Sequence, residues 1–164
     1  MAIGMEIEKK YTVYELPEDL DQYDYHIIEQ AYLTTDPTIR VRREDNTYYM
    51  TYKGHFEEDT PLAHSEENLR LTKESYETLK SKADGFVIKK KRILIPYSPS
   101  EDKEYTIELD IFEAPFEPLV LAEVEFNSVE EAEVFNPPAW FDVEVTYDKA
   151  YTNASLSRSG VAPK

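Results

Sequence analysis

In five separate stretches of this chain, two like-charged residues stand two positions apart. These are Glu6-Ile7-Glu8, Arg40-Val41-Arg42, Lys90-Lys91-Arg92, Glu108-Leu109-Asp110 and Glu123-Val124-Glu125, with Lys9-Lys10 following the first. In an extended strand, side chains at i and i+2 share a face. Each doublet therefore sets like charges side by side, and they repel unless opposite charge lies between or across from them. Ile7, Val41, Leu109 and Val124 occupy intervening positions, so one face of these strands is charged and the other is fit for burial. Acids and bases sorted in this way predict a cavity that holds a highly charged ligand together with metal ions.

The elements that must position these residues read mostly as short strands. They span 3–13, 26–33, 39–43, 47–53, 65–71, 86–95, 105–112 and 119–126, with turns at Asp36-Pro37 and Asp45-Asn46. A helix is predicted from an N-cap at Thr72 to near Gly85, on the stripe Tyr76, Leu79, Ala83. Ser128 and Glu131 form a capping box that opens a second helix, which stops at Asn136-Pro137-Pro138. A short strand at 143–145 and a helical turn or two over 148–156 complete the pattern. Hairpin order with few helices implies an antiparallel α+β fold, and a closed barrel of roughly eight strands would leave no free edges. An ordinary barrel fills its interior with apolar side chains. Here the barrel must be inverted, with charges inside and aliphatics outside beneath the helices.

Composition narrows the partners. At 164 residues the chain is expected to form one domain over 1–156, with a disordered tail at 157–164. It has no cysteine, so thiol chemistry and disulfides are excluded. No apolar run spans a bilayer and the start lacks a basic-then-apolar leader, so a cytoplasmic protein without membrane contact is expected. A net charge of −16 argues against nucleic acid, yet Arg40, Arg42, Lys90 and Arg92 recur at strand spacing. An anionic ligand would meet these bases only in an enclosed site. His26, His55 and His64 lack metal-ligand spacing.

Taken in order, the motifs resemble the CYTH, or triphosphate tunnel metalloenzyme, superfamily in its short single-domain bacterial form. They are Glu6-Ile-Glu8-Lys9-Lys10, Gln30-Ala-Tyr32-Leu33, Ile39-Arg40-Val-Arg42, Thr51-Tyr-Lys53-Gly54, Lys90-x-Arg92, Glu108-x-Asp110, Glu123-x-Glu125, Val145-Thr146 and Tyr151-Thr-Asn153. The resemblance implies an antiparallel eight-stranded closed β-tunnel with a charged lumen and a few flanking helices. It implies that Lys10, Arg40, Arg42, Lys53, Lys90 and Arg92 bind a triphosphate, and that Glu6, Glu8, Glu123 and Glu125 hold Mg²⁺ or Mn²⁺. Glu66, Glu108 and Asp110 are the catalytic candidates, for a second metal or for placing the attacking water. The family often has a second acid two residues after Glu66, where this chain has Asn68. The expected reaction is metal-dependent hydrolysis of tripolyphosphate by a monomer or homodimer. ATP cyclisation, thiamine triphosphate hydrolysis, or polyphosphate or nucleotide binding without turnover are the alternatives.

Overall fold

A computed structural model of the chain describes residues 4–60 and 62–164. Its strands are β1 (Gly4–Val13), β2 (Tyr25–Thr35), β3 (Thr38–Glu44), β4 (Thr47–Lys53), β5 (Ala63–Leu71), β6 (Asp84–Ser100), β7 (Lys103–Phe112), β8 (Val120–Glu125) and β9 (Phe141–Glu144). The helices are α1 (Lys73–Ser81), α2 (Val129–Glu133) and α3 (Asn153–Ser159), with 3₁₀ turns at Leu20–Gln22 and Lys149–Tyr151. The first eight strands close an antiparallel ring in the order β1-β5-β4-β3-β2-β6-β7-β8, returning to β1. Closure depends on β1 dividing one edge between two partners. Gly4–Ile7 pairs with β5, and Tyr11 and Val13 pair with β9. The opposite edge of β1 runs along β8.

The wall is inverted as the residue pattern predicts. On its outer side, Ala31 and Val41 pack with Tyr76 of α1, while Leu109, Ala122 and Val124 join Tyr11, Phe126, Ala132, Phe135 and Phe141 in a larger aromatic cluster. Along the inner faces, charge gives way to apolar packing at one end. The same face carries Arg92, Lys90, then Ile88 on β6, Glu108, Asp110, then Phe112 on β7, and Glu125, Glu123, then Leu121 on β8. Ile88, Phe112 and Leu121 meet Tyr32, Phe116, Val145 and Leu156 of α3, all buried, so this end of the lumen is filled.

Two boundaries differ from the sequence reading. The α1 helix ends at Ser81 with its C-cap at Lys82, and Gly85 belongs to β6. Gly85 sits at φ 79°, and a Cβ there would lie 2.5 Å from the carbonyl oxygen of Ser157. Close approach of α3 therefore demands the glycine, which sequence alone suggests as a helix terminator. In place of a disordered tail from Ser157, α3 continues to Ser159, with Ser157 buried and its hydroxyl donating to the Phe86 carbonyl at 3.0 Å. Gly160 caps it in the left-handed region.

Tyr76 anchors α1. It has 0% exposure, and its hydroxyl donates to Glu29 Oε1 at 2.8 Å, an oxygen that Lys80 Nζ also reaches at 2.8 Å. Tyr76→Ala should cost about 3–5 kcal/mol of unfolding free energy in urea, by analogy with other large aromatic truncations. Tyr76→Phe, which keeps the ring, should cost about 1 kcal/mol. Equal losses from both would mean that the hydrogen bond, and not ring burial, holds the helix.

Candidate active site

Three charge groups line the lumen. The first is acidic. In the β1–β8 register Glu8 stands opposite Glu125, with Glu6 two residues along the same face. One oxygen from each of these three carboxylates lies within 4.8 Å of the others. Burial, followed by the charges of Glu123 and Glu6, pushes the Glu8 carboxyl well above its ordinary range. Burial and Glu6 likewise raise Glu125. Burial also opposes ionisation of Glu6, but Lys53 and hydrogen bonds from Glu66 and Glu8 outweigh it and hold Glu6 low. Three convergent hard oxygens, two of them on carboxyls raised by burial and by the charges of Glu6 and Glu123, could hold a metal ion.

The second group is a compensated ion-pair network. Arg92 donates through Nε and Nη2 to the two oxygens of Asp110 at 2.8 and 2.9 Å, through Nη1 to Glu108 at 3.0 Å, and through Nη2 to Glu123 at 3.2 Å. Lys90, its side chain 0% exposed, reaches Asp110 Oδ2 at 2.8 Å and donates to Asn153 Oδ1 at 3.2 Å. Burial lowers the Lys90 pKa to about 8 despite Asp110 beside it. Lys10 pairs with Glu123 at 3.4 Å and donates to the Tyr151 carbonyl at 3.1 Å. Burial drives Glu108 up to about 7 against the pull of Arg92, helped by Glu123 and Glu125. Asp110, by contrast, is held well below the usual range because Arg92 and Lys90 overcome its burial.

The third group is cationic and uncompensated. Arg40 and Arg42 are buried side by side, and neither guanidinium pairs with a carboxylate among the described residues. Arg42 donates through Nε to Gln30 Oε1 at 2.7 Å and through Nη1 to the Tyr49 hydroxyl at 3.2 Å. Arg40 donates through Nη2 to Thr51 Oγ1 at 2.9 Å, and its buried Nε has no partner. Burial and the charge of Arg42 lower the pKa of Arg40. Two buried like charges with an unused donor are a costly arrangement unless an anion completes it.

The structure thus brings together Glu6, Glu8 and Glu125, and sets Glu123 apart from them as the partner of Lys10 and Arg92. Glu123, expected as a metal ligand, has one oxygen facing Lys10 and the other facing Arg92. Asp110, a catalytic candidate, has both oxygens engaged by Arg92 and Lys90. Glu66 lies near Glu6, linked through Lys53 Nζ, which is 3.4 Å from each. Gln30, Tyr49, Thr51, Asn68 and Asn153, which hold these groups, were not assigned tasks from sequence. Gln30, Thr51 and Asn153 lie within the quoted motifs, but uncharged residues there carry no sign that reports their partners.

A closed antiparallel tunnel with a polar lumen, an acidic cluster and unpaired arginines defines a class of protein that grips a polyanion. No family model matches the sequence. An inorganic triphosphatase from Nitrosomonas europaea is 35% identical over 160 residues, covering 94% of this chain and 97% of that protein. A crystal structure of an inorganic triphosphatase superposes with a TM-score of 0.66 at 32% identity, covering 94% of this chain and 95% of that one. A candidate adenylate cyclase from Bacillus halodurans shares the fold alone, at 16% identity and a TM-score of 0.54, covering 82% and 87%. The chain belongs to the CYTH, or triphosphate tunnel metalloenzyme, superfamily.

The raised carboxyls yield a stability prediction. A folded-state pKa above the unfolded value means that the folded protein keeps protons which the unfolded chain has released. Glu8 and Glu125 should therefore make stability fall as pH rises from their ordinary value of 4.5 toward their raised ones. Mg²⁺ should raise the melting temperature more at pH 8 than at pH 5. Glu8→Gln should raise the metal-free melting temperature by roughly 2–4 °C at pH 8 and erase the Mg²⁺ response. Persistence of that response in the variant would remove Glu8 from the cation site.

Proposed function

We propose that this protein is a divalent-metal-dependent triphosphatase that hydrolyses the terminal phosphoanhydride of inorganic tripolyphosphate. One observation carries the reading. Among the described residues Arg40 and Arg42 are buried without a counter-anion, inside the same lumen as a carboxylate triad in which Glu6 alone has a cation partner, Lys53 at 3.4 Å. A phosphate chain carrying a metal ion satisfies both deficits at once. The sequence relationship to an inorganic triphosphatase supports the same substrate class.

Glu6, Glu8 and Glu125 would hold Mg²⁺ or Mn²⁺, which when bound neutralises charge on the phosphoryl oxygens. The planar forks of Arg40 and Arg42 suit paired phosphate oxygens, and the unused Nε of Arg40 supplies a ready donor. Lys53 and Lys10 add point charges, each held by a carboxylate. Lys90 and Arg92 work one step back. With Asp110 and Glu123 they form the ionic floor that fixes Lys10 and Glu108. Glu66 on β5 pairs with Lys53 at 3.4 Å and so helps hold it between β4 and β1.

In this reading Glu108 receives the proton of the attacking water. With a pKa of about 7 it is near the operating pH, where a general base is most effective. Arg92 holds one of its oxygens, and Glu108 and Glu125 both line a cavity of about 360 Å³. Water oxygen bonds to the terminal phosphorus, the bridging P–O bond breaks, and the products are phosphate and pyrophosphate. Positioning and electrostatics carry most of the acceleration, and no covalent intermediate is required.

Phosphate release should be fastest from tripolyphosphate when it is compared with ATP, thiamine triphosphate and pyrophosphate, each with Mg²⁺ and with Mn²⁺. Preferred conversion of ATP to cyclic AMP, or binding with no release under either metal, would overturn the assignment. A base must be deprotonated to act, so kcat should climb with pH through an acidic limb near or below 7. Glu108→Gln should flatten that limb and lower kcat by about 10²–10⁴-fold. An unchanged limb would exclude Glu108 as the base.

A further inference from the structure

Arg40 is the least supported cation in the lumen, and its one hydrogen bond leads into a chain of polar side chains. Thr51, with 0% exposure, accepts from Arg40 Nη2 at 2.9 Å. Its hydroxyl has one proton, which it donates to Asn68 Oδ1 at 2.6 Å. Asn68 Nδ2 in turn donates to Glu66 Oε1 at 3.2 Å, and Glu66 Oε2 lies 3.4 Å from Lys53 Nζ. Lys53 then reaches Glu6 Oε2 at 3.4 Å, at the edge of the acidic triad. Strand register explains the alignment. Thr51 on β4 stands opposite Arg40 on β3 and opposite Asn68 on β5, so three neighbouring strands present these groups at one level.

The direction of each bond matters. A guanidinium has donors only, so Thr51 helps Arg40 only while its lone pair faces it. Asn68 secures this by taking the hydroxyl proton on the other side. An amide does so without adding negative charge. A carboxylate at position 68 would accept the same proton, but it would place an anion one hydroxyl away from Arg40 and beside Glu66. That anion would partly neutralise the cation the ligand needs and repel the ligand itself.

Resting on the triphosphatase reading above, we propose that Thr51 and Asn68 are positioning residues. They aim the Arg40 guanidinium at the phosphate chain, and the amide at 68 keeps that cation free for the ligand. Neither residue touches the reacting atoms. Their effect should therefore fall mainly on KM and affinity, with a smaller change in kcat.

The test is tripolyphosphate hydrolysis with Mg²⁺, together with calorimetric binding of tripolyphosphate in its absence. Thr51→Val, nearly the same shape, should raise KM about tenfold, the typical worth of a hydrogen bond to a charged group. Thr51→Ser should restore most of that loss. Asn68→Asp should also raise KM about tenfold, and its defect should ease as pH falls toward 5 and the new carboxyl takes up a proton. Melting temperatures would confirm that both variants are folded. If wild type binds and hydrolyses tripolyphosphate while Thr51→Val and Asn68→Asp match its KM, the positioning assignment fails alone. An equal loss from Thr51→Ser and Thr51→Val would also overturn it. A wild-type protein that binds no tripolyphosphate would overturn the triphosphatase reading and this assignment with it.

Discussion

Buried charge must be compensated, and this molecule compensates only part of it from within. A charge taken from water into a protein interior costs several kcal/mol unless partners replace its solvation. Arg92, Lys90, Asp110 and Glu123 supply one another, with bonds of 2.8–3.2 Å. Among the described residues Arg40, Arg42, Glu8 and Glu125 have no such partner, and Glu6 has only Lys53 at 3.4 Å. They are separate deposits of opposite sign, kept apart by the strands that carry them. Rigid closure of the β-ring makes this possible, because in an open sheet these side chains would turn to water or to each other. The unfilled electrostatic demand is what gives the lumen a ligand.

The compensated network and the open groups are also coupled mechanically. Glu108 and Lys10, on the inner faces of β7 and β1, are tied to Arg92 and Glu123. Asn153 at the start of α3 accepts from Lys90, so the C-terminal helix bears on the same floor. Thr152 caps that helix by accepting from the Ser155 amide at 3.1 Å. Packing at one end of the barrel is thereby continuous with the charge arrangement in its middle.

Much of this was legible in the sequence, and the misses have physical reasons. Doublets such as Arg40-Val41-Arg42 reveal both strand period and facing, because like charges two apart are improbable neighbours in an ordinary core. The eight strands and the inverted wall follow from that. Pairing across the lumen does not, since it depends on which strands become neighbours and at what stagger. Glu123-Val124-Glu125 illustrates the limit. Both acids point inward, yet Glu125 meets Glu8 while Glu123 meets Lys10 and Arg92. Gly85 misled for a related reason: a glycine near a helix end looks like a terminator, and only the three-dimensional approach of Ser157 assigns it to β6. Asn68 stands out in the sequence only as a departure from the family's acid, and Thr51 only as part of a motif, because an uncharged residue acquires its function from its neighbours.

The filled end of the barrel bears on how a ligand must lie. Strand faces that carry Lys90, Asp110 and Glu123 continue directly into Ile88, Phe112 and Leu121, with no intervening polar layer on those strands. A phosphate chain cannot run through such packing, because its oxygens would lose water and gain no donors. In the triphosphatase reading its extent is bounded on one side by the apolar cluster. In that reading the zone of Arg40, Arg42, Lys10 and Lys53 is the part favourable to negative charge. A short polyanion fits that zone, and a long one would have to leave part of its charge among carboxylates. At separations of a few ångströms inside the lumen, salt screening is weak, so this local sorting outweighs the net charge of −16 over the whole chain. An acidic protein can in this way hold an anion, provided its few unpaired bases are enclosed together and its acids are either paired or left to a cation.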